Sequence, residues 1–258
     1  MVKINDILFA LGETLKSLPE SVQQDLFGPP AKTTGQALDS LITIISLPLL
    51  KAGIVAKAEL EKFKSDTRKR LEEIPEQHRD KTKLGLAMKA IEESFYQLSE
   101  DDLREMFSKL IASTVDDRVN SFIGPRHATV LSQLRPVEAK LLKVVWSEQE
   151  PLLIFGNSQF NVQNGQHVIT NLVGQLDDGT IIKGIDRSIP TLKSLGIIEY
   201  EREIGFFGSK AESRYKFIKK LQEKEIADQY GKVNDLEFFP SGFRLTIFGS
   251  DLLRYCLG

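Results

Sequence analysis

The chain changes its hydrophobic rhythm once, near Pro151, and that change limits the fold more than any single motif does. Upstream, apolar residues recur every three or four positions. Ile4, Ile7, Leu8, Leu11 and Leu15 form one such set, ending at Pro19; Leu84, Ala87, Met88, Ile91 and Phe95 form another; Leu103, Met106, Phe107, Leu110 and Ile111 form a third. Spacing of this kind puts each set on one face of a helix. Downstream, "PLLIF" is a short apolar run and "IIEYERE" alternates, and both are strand signals. The expected fold is mainly α, with a helical region over residues 1–130 and an α+β winged-helix-like domain over residues 131–258.

Local signals set the expected boundaries. Ser99 with Asp102 three residues later reads as a helix start, and Pro136 suits a first helical turn. "GNSQFNVQNGQHVITNLVGQLDDGT" is polar and glycine-bearing, so a loop or irregular hairpin is expected there. Ile185 to Leu195 reads as a helix that Gly196 stops, followed by the strand "IIEYERE". "IGFFGSKAE" then reads as a turn-rich tip, "RYKFI" as a return strand, and roughly Lys219 to Tyr230 as a charged helix. "GFRLTIF" and "GSDLLRYCLG" complete the chain as a strand and a terminal helix. "FGPPAKTTG" is a loop that lacks the glycine and preceding strand of a phosphate-binding turn.

"LREMFSKLIASTVDD" followed by "LSQLRPVEAKLLKVV" resembles the Abi-alpha family, bacterial proteins named for a link to abortive infection. The residues that carry the resemblance are Phe107, Leu110, Ala112, Ser113, Gln133, Leu134, Glu138, Ala139 and Leu142. "LKSLGIIE" and "LTIFGSDLLRYC" resemble further motifs of the family. At "GPRHATVL" the chain departs from the family's His-Pro-Ser-Phe, keeping His127 without the proline and aromatic. The resemblance implies a part in bacterial defence against phage; its motifs are packing motifs and imply no catalytic residue.

Reactive constellations are not found in the sequence. His78, His127 and His167 are scattered and Cys256 stands alone, so no metal site, cofactor site or disulfide is expected. Nothing resembles a nucleophile elbow, and Asp116 with Asp117 and Asp177 with Asp178 read as turn residues. The expectation is a protein that is not an enzyme and works through a protein partner or self-association.

DNA binding is the rival reading. In a winged-helix domain the helix over 185–195 can enter the major groove, with cations meeting phosphates. The tentative nucleic-acid-binding residues are Arg187, Thr191 and Lys193 on that helix, with Lys210, Arg214 and Lys216 on the wing and its return strand. Between Lys183 and Lys220 nine basic residues stand against five acidic ones, although the whole chain carries a net charge of -2. From Lys51 to Lys109 the charges balance at thirteen each, which reads as solvated helix. A membrane-perturbing segment is the third reading, resting on the apolar run from Leu41 to Ala56. That run is short for a span and holds Pro48 and Lys51. With one cysteine and no cleavable leader in its first residues, the chain is expected to be cytoplasmic.

Overall fold

A computed structural model of the chain describes residues 42, 53, 56–80, 82–148, 152–163, 165–201 and 208–258. The expected helix at Ile4–Leu15, the loop at Phe27–Gly35, the tip carrying Phe206 and Phe207, and all of the 41–56 run except Ile42, Gly53 and Ala56 lie outside these residues. The chain divides into two compact units, one comprising residues 1–136 with 254–258 and the other residues 137–253.

The first unit is helical. Helix α1 (Lys57–Glu72) buries Leu60, Phe63, Thr67 and Leu71, one stripe at helical spacing. Helices α2 (Leu84–Ser94) and α4 (Pro125–Ser132) follow the same rule. Between them in sequence, α3 (Asp101–Thr114) is buried along most of its length and packs against α1, α2 and α4, which makes it the centre of the unit. Phe63 and Phe107 are fully enclosed. Burying one such ring contributes roughly 1.5–3 kcal/mol. The cap of α3 differs from expectation: Glu100, not Ser99, occupies the N-cap, and it makes no side-chain cap bond. Acidic Asp101 and Asp102 still fill the first turn, where they complement the helix dipole. Arg104 is fixed by Asp66 at 2.9 Å and Asp101 at 2.6 Å.

The second unit is an α+β layer built on an antiparallel sheet. After α5 (Pro136–Trp146) come β1 (Leu152–Asn161), β2 (His167–Ile169), β3 (Val173–Gln175), β4 (Ile181–Lys183), α6 (Ser188–Ser194), β5 (Ile198–Glu201), α7 (Ser209–Tyr230), β6 (Asn234–Leu245) and α8 (Ile247–Leu257). The strand order is β4-β3-β1-β6-β5, with β2 also paired to β1. Strand β1 is central and buried on both faces. On one face, Ile154 joins Val173 and the α7 residues Ala211 and Ile218 in a core. On the other, the ring of Phe155 lies 5.5 Å from that of Tyr200 and 6.2 Å from that of Phe243.

Two expectations are corrected here. "GNSQFN" continues β1 instead of forming a loop. "RYKFI" is not a return strand: residues 209–230 form one helix of 22 residues, and the strand that pairs with β5 is β6, downstream of it. Lys210, Arg214 and Lys216 therefore stand on helix α7, not on a wing.

Candidate functional site

Two of the family-like motifs, "LKSLGII" and "LTIFG", meet inside the second unit. Gly196 closes α6 with φ +72°, a left-handed turn that favours glycine, and leads into Ile197 and β5. Thr246, ahead of α8, accepts a hydrogen bond at Oγ1 from the Gly249 amide at 2.8 Å and donates from the same oxygen to the Gly196 carbonyl at 2.6 Å. Gly249 lies so close to Ile197 that a Cβ there would stand 2.0 Å from its carbonyl oxygen. "LKSLGII" and "LTIFG" are thus two halves of one joint. Of the upstream motif residues, Phe107, Leu110, Ala112, Ser113, Leu134, Glu138, Ala139 and Leu142 are all buried. Gln133 is exposed.

Helix α7 is fastened to the sheet by a mixed stripe. Ala211, Arg214, Ile218, Gln222 and Ile226 are buried, and two of these five are polar. Gln222, 2% exposed, accepts from Ser158 Oγ at 2.8 Å and donates to the carbonyls of Gly156 at 3.3 Å and Asn171 at 3.1 Å. Such a network matches every polar group it buries. Phe238 packs over Gly156, where a Cβ would sit 2.4 Å from the ring.

The tentative nucleic-acid residues divide on this framework. Arg214 is 8% exposed and pairs with the Asp177 carboxylate, which Lys210 also meets at 3.0 Å. Lys193 donates to the Tyr200 carbonyl at 2.7 Å and lies 5.6 Å from that ring's centre. Thr191 Oγ1 donates back to the Arg187 carbonyl at 2.9 Å. Arg187 and Lys216 are exposed. The outward face of α7 presents Lys216, Lys220 and Lys224 at successive turns, none ion-paired among the described residues, beside Phe217, which is 47% exposed. Sequence reasoning missed this face because it divided α7 between a strand and a helix.

In the first unit, two loops are knitted together. Asp80 N–H donates to the Val115 carbonyl at 2.7 Å, Asp117 N–H to the His78 carbonyl at 2.9 Å, and Arg79 bridges Asp116 antiparallel. Burial pushes the Asp116 carboxyl up, but hydrogen bonds from Arg118 and its charge outweigh that, so the pKa falls below the ordinary aspartate value. Asp80 is lowered in the same way: burial acts upward, while bonds from Thr82 and Asn120 prevail. Burial pushes the Cys256 thiol well up, away from the thiolate form that reacts. No set of three or more His, Cys, Asp or Glu among the described residues is arranged around a common ion position. No helix among the described residues is long and apolar enough to cross a membrane.

No curated protein matches the chain. An uncharacterized protein from the hydrocarbon-degrading marine bacterium Alcanivorax borkumensis SK2, known from its solved structure, is 13% identical with a TM-score of 0.28, covering 50% of this chain and 91% of its own. The model of the abortive infection alpha family matches residues 55–256, the greater part of the sequence, and the chain belongs to that family.

Proposed function

We propose that this protein is a phage-defence factor of the abortive-infection kind, and that it acts through a protein contact rather than through a reaction. The observation that carries the reading is the outward face of α7. A helix held to its sheet by a buried stripe shows Phe217 among lysines that no described carboxylate neutralises. A half-exposed aromatic flanked by cations suits an acidic partner surface with an apolar recess: the ring anchors, and the lysines steer and orient. The buried family motifs support the same reading, since they build the scaffold and leave recognition to exposed residues.

The winged-helix DNA reading rests on a different observation. Helix α6, followed by the antiparallel pair β5 and β6, keeps the order of a recognition helix and wing strands, with Arg187 exposed at the start of α6. In this reading α7 is an insertion between the wing strands, and only Arg187, Thr191 and Lys216 remain for DNA among the six tentative residues.

The test is phage challenge of a susceptible bacterial host carrying the gene. Defence of this kind gives fewer plaques and a smaller burst, with death of infected cells before progeny are released. Plaque numbers and burst sizes equal to those of the empty-vector host across a phage panel would contradict the proposal.

A further inference from the structure

We infer that a cleft in the second unit binds a purine base. The cleft has a volume of about 320 Å³, and Asn157, Thr170, Asp186, Ile189, Pro190 and Tyr200 are among its lining residues. That volume lies at the small end of the roughly 300–1,000 Å³ typical of small-molecule sites. No lining residue belongs to α7, so this inference stands apart from the α7 contact.

Asn157 carries the argument. It sits on the central strand, with β6 paired alongside, and is only 5% exposed. Side chains alternate along a strand, so it shares a face with Leu153 and Phe155, opposite Ser158. Ser158 is matched by Gln222, but the Asn157 amide makes no hydrogen bond to the described residues and lines the cleft. That amide is open to the cleft and not sealed in the core: neither of its polar atoms is among the fully enclosed, unpartnered ones. An amide that faces a cleft offers an adjacent donor and acceptor, the pair that reads an adenine N6/N7 edge.

The remaining lining narrows the ligand. Asp186 accepts the Leu172 amide at 2.8 Å through Oδ1. That bond fixes the carboxylate and leaves Oδ2 for an N–H of the ligand. Tyr200, Ile189 and Pro190 supply aromatic and apolar walls suited to a flat ring. Among the described residues, Asp186 is the one charged side chain in the lining, a wall that suits a neutral base better than a phosphate. Every base has an N–H donor beside an acceptor, but the two fused rings of adenine or guanine cover more of the Tyr200, Ile189 and Pro190 walls than a single pyrimidine ring does. Such a purine arrives either as a free nucleoside or as an unpaired base in a single strand.

Isothermal titration of the purified full chain with adenosine, guanosine, cytidine, uridine and a single-stranded deoxyadenosine oligonucleotide tests the assignment. Saturable binding of a purine nucleoside in preference to both pyrimidines is expected. Asn157→Ala and Asp186→Asn, which keeps an acceptor for the Leu172 amide, are each expected to weaken it about tenfold or more. Should Asn157→Ala fail to fold by circular dichroism, Asn157→Asp keeps the volume, removes the donor and should weaken adenosine equally. Binding of the oligonucleotide alone, lost in the same variants, assigns the base to a strand. No saturable binding of any probe up to about 1 mM, pyrimidines bound as tightly as purines, or variants that bind like the parent would overturn the inference.

Discussion

Gly249 and Ile197 approach so closely that a methyl group on Gly249 would lie 2.0 Å from the Ile197 carbonyl oxygen. The obstacle is backbone, so no side-chain rotation relieves it. The same carbonyl accepts the Thr246 amide at 3.0 Å, so moving it away breaks the start of α8 as well.

Gly249→Ala is therefore expected to destabilise the protein by about 1–3 kcal/mol, although alanine usually favours helices. Urea denaturation followed by circular dichroism measures it. A variant as stable as the parent would show that α8 can retreat from the α6–β5 joint.

Gln222 is the polar bolt of α7. Gln222→Ala strands the Ser158 hydroxyl and the carbonyls of Gly156 and Asn171. A loss of about 2–4 kcal/mol is expected, and a smaller one of about 1–2 kcal/mol for Ser158→Ala, which leaves the other bonds intact. Thermal denaturation of both variants checks the order. Equal losses would contradict the division of labour.

Acid should weaken the paired loops of the first unit. The folded-state pKa values of Asp80 and Asp116 are depressed, so their contribution is present above the unfolded value of about 3.9 and disappears as pH falls through the lower folded values. The urea midpoint should fall as pH drops below about 4. Asp80→Asn and Asp116→Asn should be less stable at neutral pH and show a shallower fall. Parallel curves for parent and variants would assign the acid sensitivity elsewhere.

The protein-contact reading also predicts how DNA behaves. A phosphate-contacting surface loses affinity steeply with salt, by about one unit of log-log slope per contact. Fluorescence anisotropy with duplex DNA should show weak association, with Arg187→Ala and Lys216→Ala changing the slope little. A steep slope that each of these substitutions reduces by about one unit would favour the winged-helix reading.

The sequence was most legible where apolar spacing was unbroken. Leu103, Met106, Phe107, Leu110 and Ile111 mark α3, and Gly196 marks the end of α6, because in each case one simple physical demand dominates. Legibility failed where the fold buries polar groups. In α7 the stripe passes through Arg214 and Gln222, which interrupts the helical signal, while Tyr215 and Phe217 alternate with charges as in a strand. In β1, Asn157 and Ser158 give a loop-like composition, yet both are buried. Ser158 is matched by Gln222, 64 residues away, and no local pattern announces a partner at that distance. The cleft was hidden for the same reason: its lining comes from β1, the end of β2 and the segment after it, the residues leading into and opening α6, and β5.

The α7 contact is tested most sharply by comparing plaque counts on host cells expressing the parent chain and the double variant Lys216→Glu, Phe217→Asp, at matched expression and thermal stability. Both side chains point outward from α7, so the fold should be kept while the contact is lost. Protection by the parent, and plaque numbers restored to those of unprotected cells in the variant, are expected if α7 makes the contact; a variant that protects as well as the parent would rule that contact out.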